Sequence, residues 1–108
     1  MKHFLKDNND KTIIESQLLI ENKKIEVTSS LDIFRYSKFL LNQPKKNQNK
    51  IILYLENIMN INLWLWKTYS FENDFTFTIE EQIDIYENTI INFYQKTANI
   101  LNLNYITE

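Results

Sequence analysis

A chain of 108 residues without a single glycine has few ways to turn. Glycine makes up about 7% of ordinary soluble sequence and takes left-handed backbone without a Cβ penalty. Any turn that needs positive φ must here be closed by another residue, and asparagine and aspartate tolerate that region best. The same absence removes whole classes of chemistry. Phosphate-binding loops, the dinucleotide fingerprint and the serine nucleophile elbow all need glycine for a strained turn or a close backbone approach. Cysteine is absent too, and His3 is the lone histidine. Thiol chemistry and multi-histidine metal sites are therefore excluded. His3 lies in a terminal segment expected to fray, with no evident partner. The expectation is a non-enzyme with no catalytic residues, no metal and no cofactor.

Isoleucine, asparagine and lysine supply 42 of the 108 residues, whereas alanine, proline and arginine occur once each. The common residues have A/T-rich codons and the rare ones G/C-rich codons, which points to a low-GC bacterium, its phage or a plasmid. Part of the glycine deficit is then mutational, but its physical consequence stands. A formal charge of −2 gives no global attraction to nucleic acid, and direct nucleic-acid binding is not expected. Residues 1–10 lack the apolar stretch of a signal peptide. The best membrane candidate, residues 51–69, is interrupted by Glu56, Asn57, Asn60 and Asn62, so no membrane span is expected. The expected location is the cytoplasm of such a bacterium or of its phage-infected host.

Patterning suggests one compact α+β domain over residues 1–108. As a helix, residues 12–21 would scatter Ile13, Ile14, Leu18, Leu19 and Ile20 around the axis. As a hairpin turning at Asn22-Lys23, they set Glu21 opposite Lys24, Ile20 opposite Ile25 and Leu18 opposite Val27, pairings that stabilise antiparallel strands. A turn at residues 7–10 adds a strand at 2–6, making a three-stranded meander, with strands confined to residues 1–28. Three helices follow. The first, capped by Ser29 or Ser30, runs from 31 to about 43, with Ile33, Phe34, Tyr36, Leu40 and Leu41 inward and Arg35, Lys38 and Asn42 outward. Residues 42–50, with Pro44, form the one clear break. The second helix spans about 50–69, with Ile51, Ile52, Leu55, Ile58, Met59, Leu65 and Trp66 on its apolar arc. The third begins at the capping box Thr78-x-x-Glu81 and buries Ile79, Ile83, Tyr86, Ile90, Phe93, Tyr94, Ile100 and Leu101. An all-α bundle with a loose N-terminus is the alternative.

Several constellations compete for a functional role. Asp7-x-Asn9-x-Lys11 opens like a calcium loop, but Thr12 and Leu18 occupy positions that need glycine and a bidentate glutamate, so it reads as a polar turn. Lys45, Lys46 and Lys50 cluster in the break without aromatic neighbours and read as a solvated loop. Asn62 falls within the apolar arc, either hydrogen-bonded to a loop carbonyl or placed at an interface. Glu80, Asp84 and Glu87 share the outer face of the third helix with Ile91: either an ordinary solvated face or an apolar anchor in an acidic rim. Trp64 lands on the polar stripe of the second helix with Leu53, Glu56, Asn57 and Asn60 beside it: either an exposed anchor, since tryptophan is enriched among binding hot spots, or an aromatic covered by the neighbouring sheet or by residues 71–77.

The expected function is protein binding: an inhibitor of a larger enzyme, with a nuclease or nuclease complex as partner. A phage- or plasmid-encoded anti-defence protein such as an anti-CRISPR, or a toxin immunity protein, has this size, charge and origin. The alternative is a structural or accessory subunit, forming a homodimer or part of a larger assembly.

Overall fold

Asn22 (φ 51°) and Lys23 (φ 62°) close the first hairpin with two consecutive left-handed residues. Positive φ at both central positions makes the turn whose twist matches the flanking strands. Asp10, Ser70 and Asn102 also adopt positive φ; in a glycine-free chain, short polar residues carry most of that load. The computed structural model describes residues 1–71 and 76–108.

Strands β1 (Lys2–Lys6), β2 (Thr12–Glu21) and β3 (Lys24–Leu31) form the expected meander. Glu21 pairs with Lys24, Ile20 with Ile25 and Leu18 with Val27, in the register read from the sequence. Asp7 holds the first turn: its Oδ1 accepts from the amides of Asn9 (2.9 Å) and Lys11 (3.0 Å). A fourth strand, β4 (Asn104–Thr107), pairs antiparallel with β1, so the sheet order is β3-β2-β1-β4. Strands therefore extend beyond residues 1–28. The fold is α+β; among the described residues it has a four-stranded antiparallel sheet and four helices in place of three.

Helix α1 (Ile33–Leu41) starts later than the sequence suggested, because β3 continues to Leu31 and Asp32 supplies the cap. The Asp32 carboxylate accepts from the Arg35 amide at 3.0 Å. That bond holds the carboxyl below the usual range. Helix α2 (Lys45–Met59) begins directly after Pro44, so most of the expected break is helical and Lys45, Lys46 and Lys50 lie in its first turns. Asn60 (φ −113°, ψ 31°) then interrupts the long second helix, and α3 (Ile61–Tyr69) continues beyond it. Helix α4 (Ile79–Leu101) opens on the expected capping box: the Glu81 amide donates to Thr78 Oγ1 and the Thr78 amide to Glu81 Oε1.

The helices cover one face of the sheet. The core joins Leu5, Ile14 and Val27 to Ile51, Leu55, Ile58, Ile61 and Leu65 from α2 and α3, and to Tyr86, Ile90, Tyr94, Ala98 and Leu101 from α4. Ile79, Ile83 and Phe93 are half-buried and Ile100 is exposed, so the inner face of α4 is narrower than the sequence implied. Among the described residues no helix is long and apolar enough to cross a membrane.

Candidate functional site

Helix α1 makes the largest departure from the expected sorting. Ile33, Phe34 and Leu41, expected inward, are 70%, 80% and 77% exposed. The helix is amphipathic on a different face. Tyr36 and Leu40, expected inward, do pack on the core, and Phe39 joins them; the inner face is centred on these three, to one side of Ile33, Phe34 and Leu41. The apolar arc of the helix is wider than the face that meets the core, and its outer part stays in water. With an aromatic side chain near 150–250 Å² and the two aliphatic ones smaller, the outer part presents on the order of 400 Å² of apolar surface. That approaches the largest patch on an ordinary monomer, which is often functional. Ser37 and Lys38 are its polar neighbours along the helix.

Trp64 is exposed on α3, as its place on the wheel implied, and keeps 37% of its surface. Its ring meets Phe93 of α4 edge-on (centroids 5.5 Å apart) and Tyr69 at 6.3 Å. The indole is thus held in orientation while part of it stays in water. Glu56, Asn60 and Trp64 remain stacked through the bend, because the Asn60 amide bonds the Glu56 carbonyl and the Trp64 amide bonds the Asn60 carbonyl. Leu53 is exposed and Asn57 half-buried on α2. Trp66 and Met59, expected on the inner arc, are exposed. The bend at Asn60 breaks the single wheel on which both were placed; in the last two turns of α3 Leu65 is buried and Tyr69 packs half-buried against the core.

The acidic face of α4 divides. Glu80 and Asp84 are exposed, Ile91 is half-buried, and Glu87 points back to the sheet. Its Oε2 lies 3.0 Å from His3 Nε2, while His3 Nδ1 lies 2.6 Å from the Tyr105 hydroxyl. His3 is therefore no frayed terminus: β1 is an interior strand with β4 beside it, and the imidazole is fully buried. The neutral tautomer satisfies every group, with Tyr105 O–H donating to Nδ1 and Nε2–H donating to Glu87. Burial lowers the pKa of His3, with the Glu87 carboxylate opposing and the N-terminal ammonium adding to the fall. Burial also pushes the Tyr105 phenol up to about 12, with Glu87 contributing. The order hydroxyl–imidazole–carboxylate is that of a nucleophilic triad. Here the base is sealed from solvent and the phenol is made a weaker acid, so the arrangement serves as a clasp joining β1, β4 and α4. Tyr94 extends the buried polar set by donating to Ser16 Oγ at 2.7 Å, which lies 2.6 Å from Ser29 Oγ. Sequence patterning could not find the clasp, since its members are 84 and 102 residues apart.

Asn62 is neither a loop cap nor buried. Its Oδ1 accepts from the Val27 amide (3.1 Å) and its Nδ2 donates to the Val27 carbonyl (2.9 Å). The side-chain amide stands in for one residue of a further strand at the edge of β3. Among the described residues no group of three His, Asp or Glu side chains is arranged to hold a metal ion.

Compared with known proteins, the chain matches no family model, no curated protein and no solved structure at a significant level.

Proposed function

We propose that this chain is a protein-binding module whose outer α1 surface, Ile33, Phe34 and Leu41, docks on a larger partner. The carrying observation is the exposure of these three large apolar side chains on one sector of a short helix. Leaving them in water forfeits hydrophobic stabilisation of roughly 1.5–3 kcal/mol each, and a partner surface recovers it. In its specific form the proposal is inhibition by occlusion: a small acidic protein of A/T-rich origin that covers a larger enzyme, a nuclease or nuclease complex. An anti-defence protein such as an anti-CRISPR, or a toxin immunity protein, works in this way. Size, charge and codon bias support that form, and Trp64 with exposed Glu56 and Asn60 offers a second anchor with a polar rim.

The test compares wild type with Phe34→Asp. An exposed position should absorb this change within about 0.5 kcal/mol of stability. Quantitative pull-down from an A/T-rich host followed by inhibition assays on the captured enzyme should show at least a tenfold loss of affinity. A wild-type dimer in sedimentation that becomes monomeric on Phe34→Asp would favour the homo-oligomeric accessory subunit instead. Unfolding by Phe34→Asp would show that the stripe belongs to the fold.

A further inference from the structure

Beside the hairpin, a half-open cleft of about 530 Å³ lies between the start of β3, helix α3 and the first turns of α4. It shares no lining residue with the α1 stripe, and three observations describe what it accepts. The first is an open strand edge. Asn62 bonds both main-chain groups of Val27 from outside the sheet, which fixes the outward side of β3. Main-chain direction alternates along a strand, so Ile25, two residues earlier, turns its N–H and C=O the same way, into the cleft that it lines. Among the described residues no main-chain group bonds Ile25 there, and the Asn62 amide ends the open stretch.

The second observation is an apolar wall. Leu63, Trp66, Phe71 and Tyr86 line the cleft. Leu63 and Trp66 are both exposed, although α3 is otherwise sorted so that Ile61 and Leu65 face the core. A wall of this kind suits a large side chain rather than a polar one. The third is charge. Lys23 and Lys24 stand at the hairpin end of the cleft, and among the described residues neither joins an ion pair. Lys24 sits opposite Glu21 in the register, but among the described residues their side chains form no ion pair. Glu26 also lines the cleft, so the balance is two cations to one anion.

We propose that this cleft binds a short extended peptide segment of a partner protein, a large apolar side chain flanked by carboxylates, added as a strand to β3 at Ile25. The peptide main chain exchanges two hydrogen bonds with Ile25, as in other strand-addition modes. Its apolar side chain inserts between Trp66 and Tyr86, and its carboxylates meet Lys23 and Lys24. Asn62 stops the pairing after one residue and sets the register. This surface is separate from the α1 stripe, so the two readings fail independently.

The test uses blocked octapeptides with a central Trp, Phe or Leu flanked by aspartates. Controls are the same peptides with lysine flanks, and the same peptides N-methylated at the amide next to the central residue. Binding is followed by NMR at the Ile25 amide and the Trp66 indole N–H, and by hydrogen exchange at Ile25. Expected are shifts at both probes, slower exchange at Ile25, and at least a tenfold loss of affinity on N-methylation, on lysine substitution or in Lys23→Glu/Lys24→Glu. Trp66→Ala, at an exposed position, should fold and also lose tenfold, while Phe34→Asp should bind as wild type. Failure of every aspartate-flanked peptide to bind at 1 mM peptide (roughly −4 kcal/mol) overturns the proposal. So does binding that ignores N-methylation, or that is as tight with lysine flanks.

Discussion

The clasp at His3 makes the stability of this protein depend on pH in a window where no other side chain of ordinary pKa titrates, since His3 is its only histidine. His3→Ala removes a fully buried ring, its bond to Tyr105 and its bond to the Glu87 carboxylate. A neutral hydrogen bond contributes about 1 kcal/mol and one to a charged group about 1.5–3. The loss should therefore be roughly 3 kcal/mol, a sizeable part of the 5–15 kcal/mol typical of a domain. At about 4 °C per kcal/mol for a chain of this size, the melting midpoint should fall by about 12 °C.

The pH dependence has a definite sign. Burial lowers the folded pKa of His3 below its unfolded value near 6.5, so the unfolded chain takes up a proton first as pH falls. The stability is fully present above about pH 6.5 and is lost as pH drops from there through the folded pKa, with a slope of at most about 1.4 kcal/mol per pH unit. The groups facing His3 are Glu87 and Tyr94 of α4, Tyr105 of β4 and the N-terminal ammonium. Both phenols are shifted upward and stay protonated throughout the window. Urea melts at pH 7.5, 6.5 and 5.5, followed by tryptophan fluorescence, measure the slope. His3→Phe keeps a planar ring that cannot take up a proton and should be less stable but flatter across the same range. A wild-type curve that is flat from pH 7.5 to 5.5, or an equal slope in His3→Phe, refutes the reasoning.

Three further outcomes follow from the packing. Ile90→Ala, at a fully buried core position, should cost about 2–5 kcal/mol in denaturant melts, and half-buried Phe93→Ala should cost clearly less, with Trp64 fluorescence changing because the two rings touch. Lys23→Gly should raise stability by about 1 kcal/mol, since a left-handed lysine carries a Cβ penalty that glycine lacks; a loss in thermal melts would mean that the turn is not strained. Asn62→Ala leaves the Val27 amide and carbonyl without their partner, so stability should fall by about 1–3 kcal/mol and association through the opened β3 edge should increase in sedimentation.

The hairpin register, the capping box at Thr78 and the α+β class were legible in the sequence because each rests on near neighbours. Cross-strand pairs around a two-residue turn and a cap three residues from its partner are local, and period-2 and period-3.6 patterns report them directly. The helix break at Asn60 left a weaker signal. Three asparagines sit among apolar residues at 57, 60 and 62, but they read equally well as a polar stripe. The fourth strand was hidden by its length: Asn104–Thr107 is only four residues long and becomes a strand through pairing with β1.

The candidate site divides the same way. Composition alone made glycine-dependent and thiol chemistry untenable, and periodicity alone placed Trp64 on the outside of its helix. The sequence placed Tyr36 and Leu40 of α1 inward correctly, but not which part of its wide apolar arc stays out, since Ile33, Phe34 and Leu41 are as hydrophobic as the residues that pack. The contacts that α1 makes with β2 and α2 chose between them. His3 and Glu87 read as a terminal residue and a surface carboxylate until β4 closed over β1 and brought three distant side chains into hydrogen-bond range. Local chemistry determined the elements and their turns. Only the tertiary structure decided which apolar faces remained in water and which polar groups left it, because burial is a property of what packs against a residue and not of the residue itself.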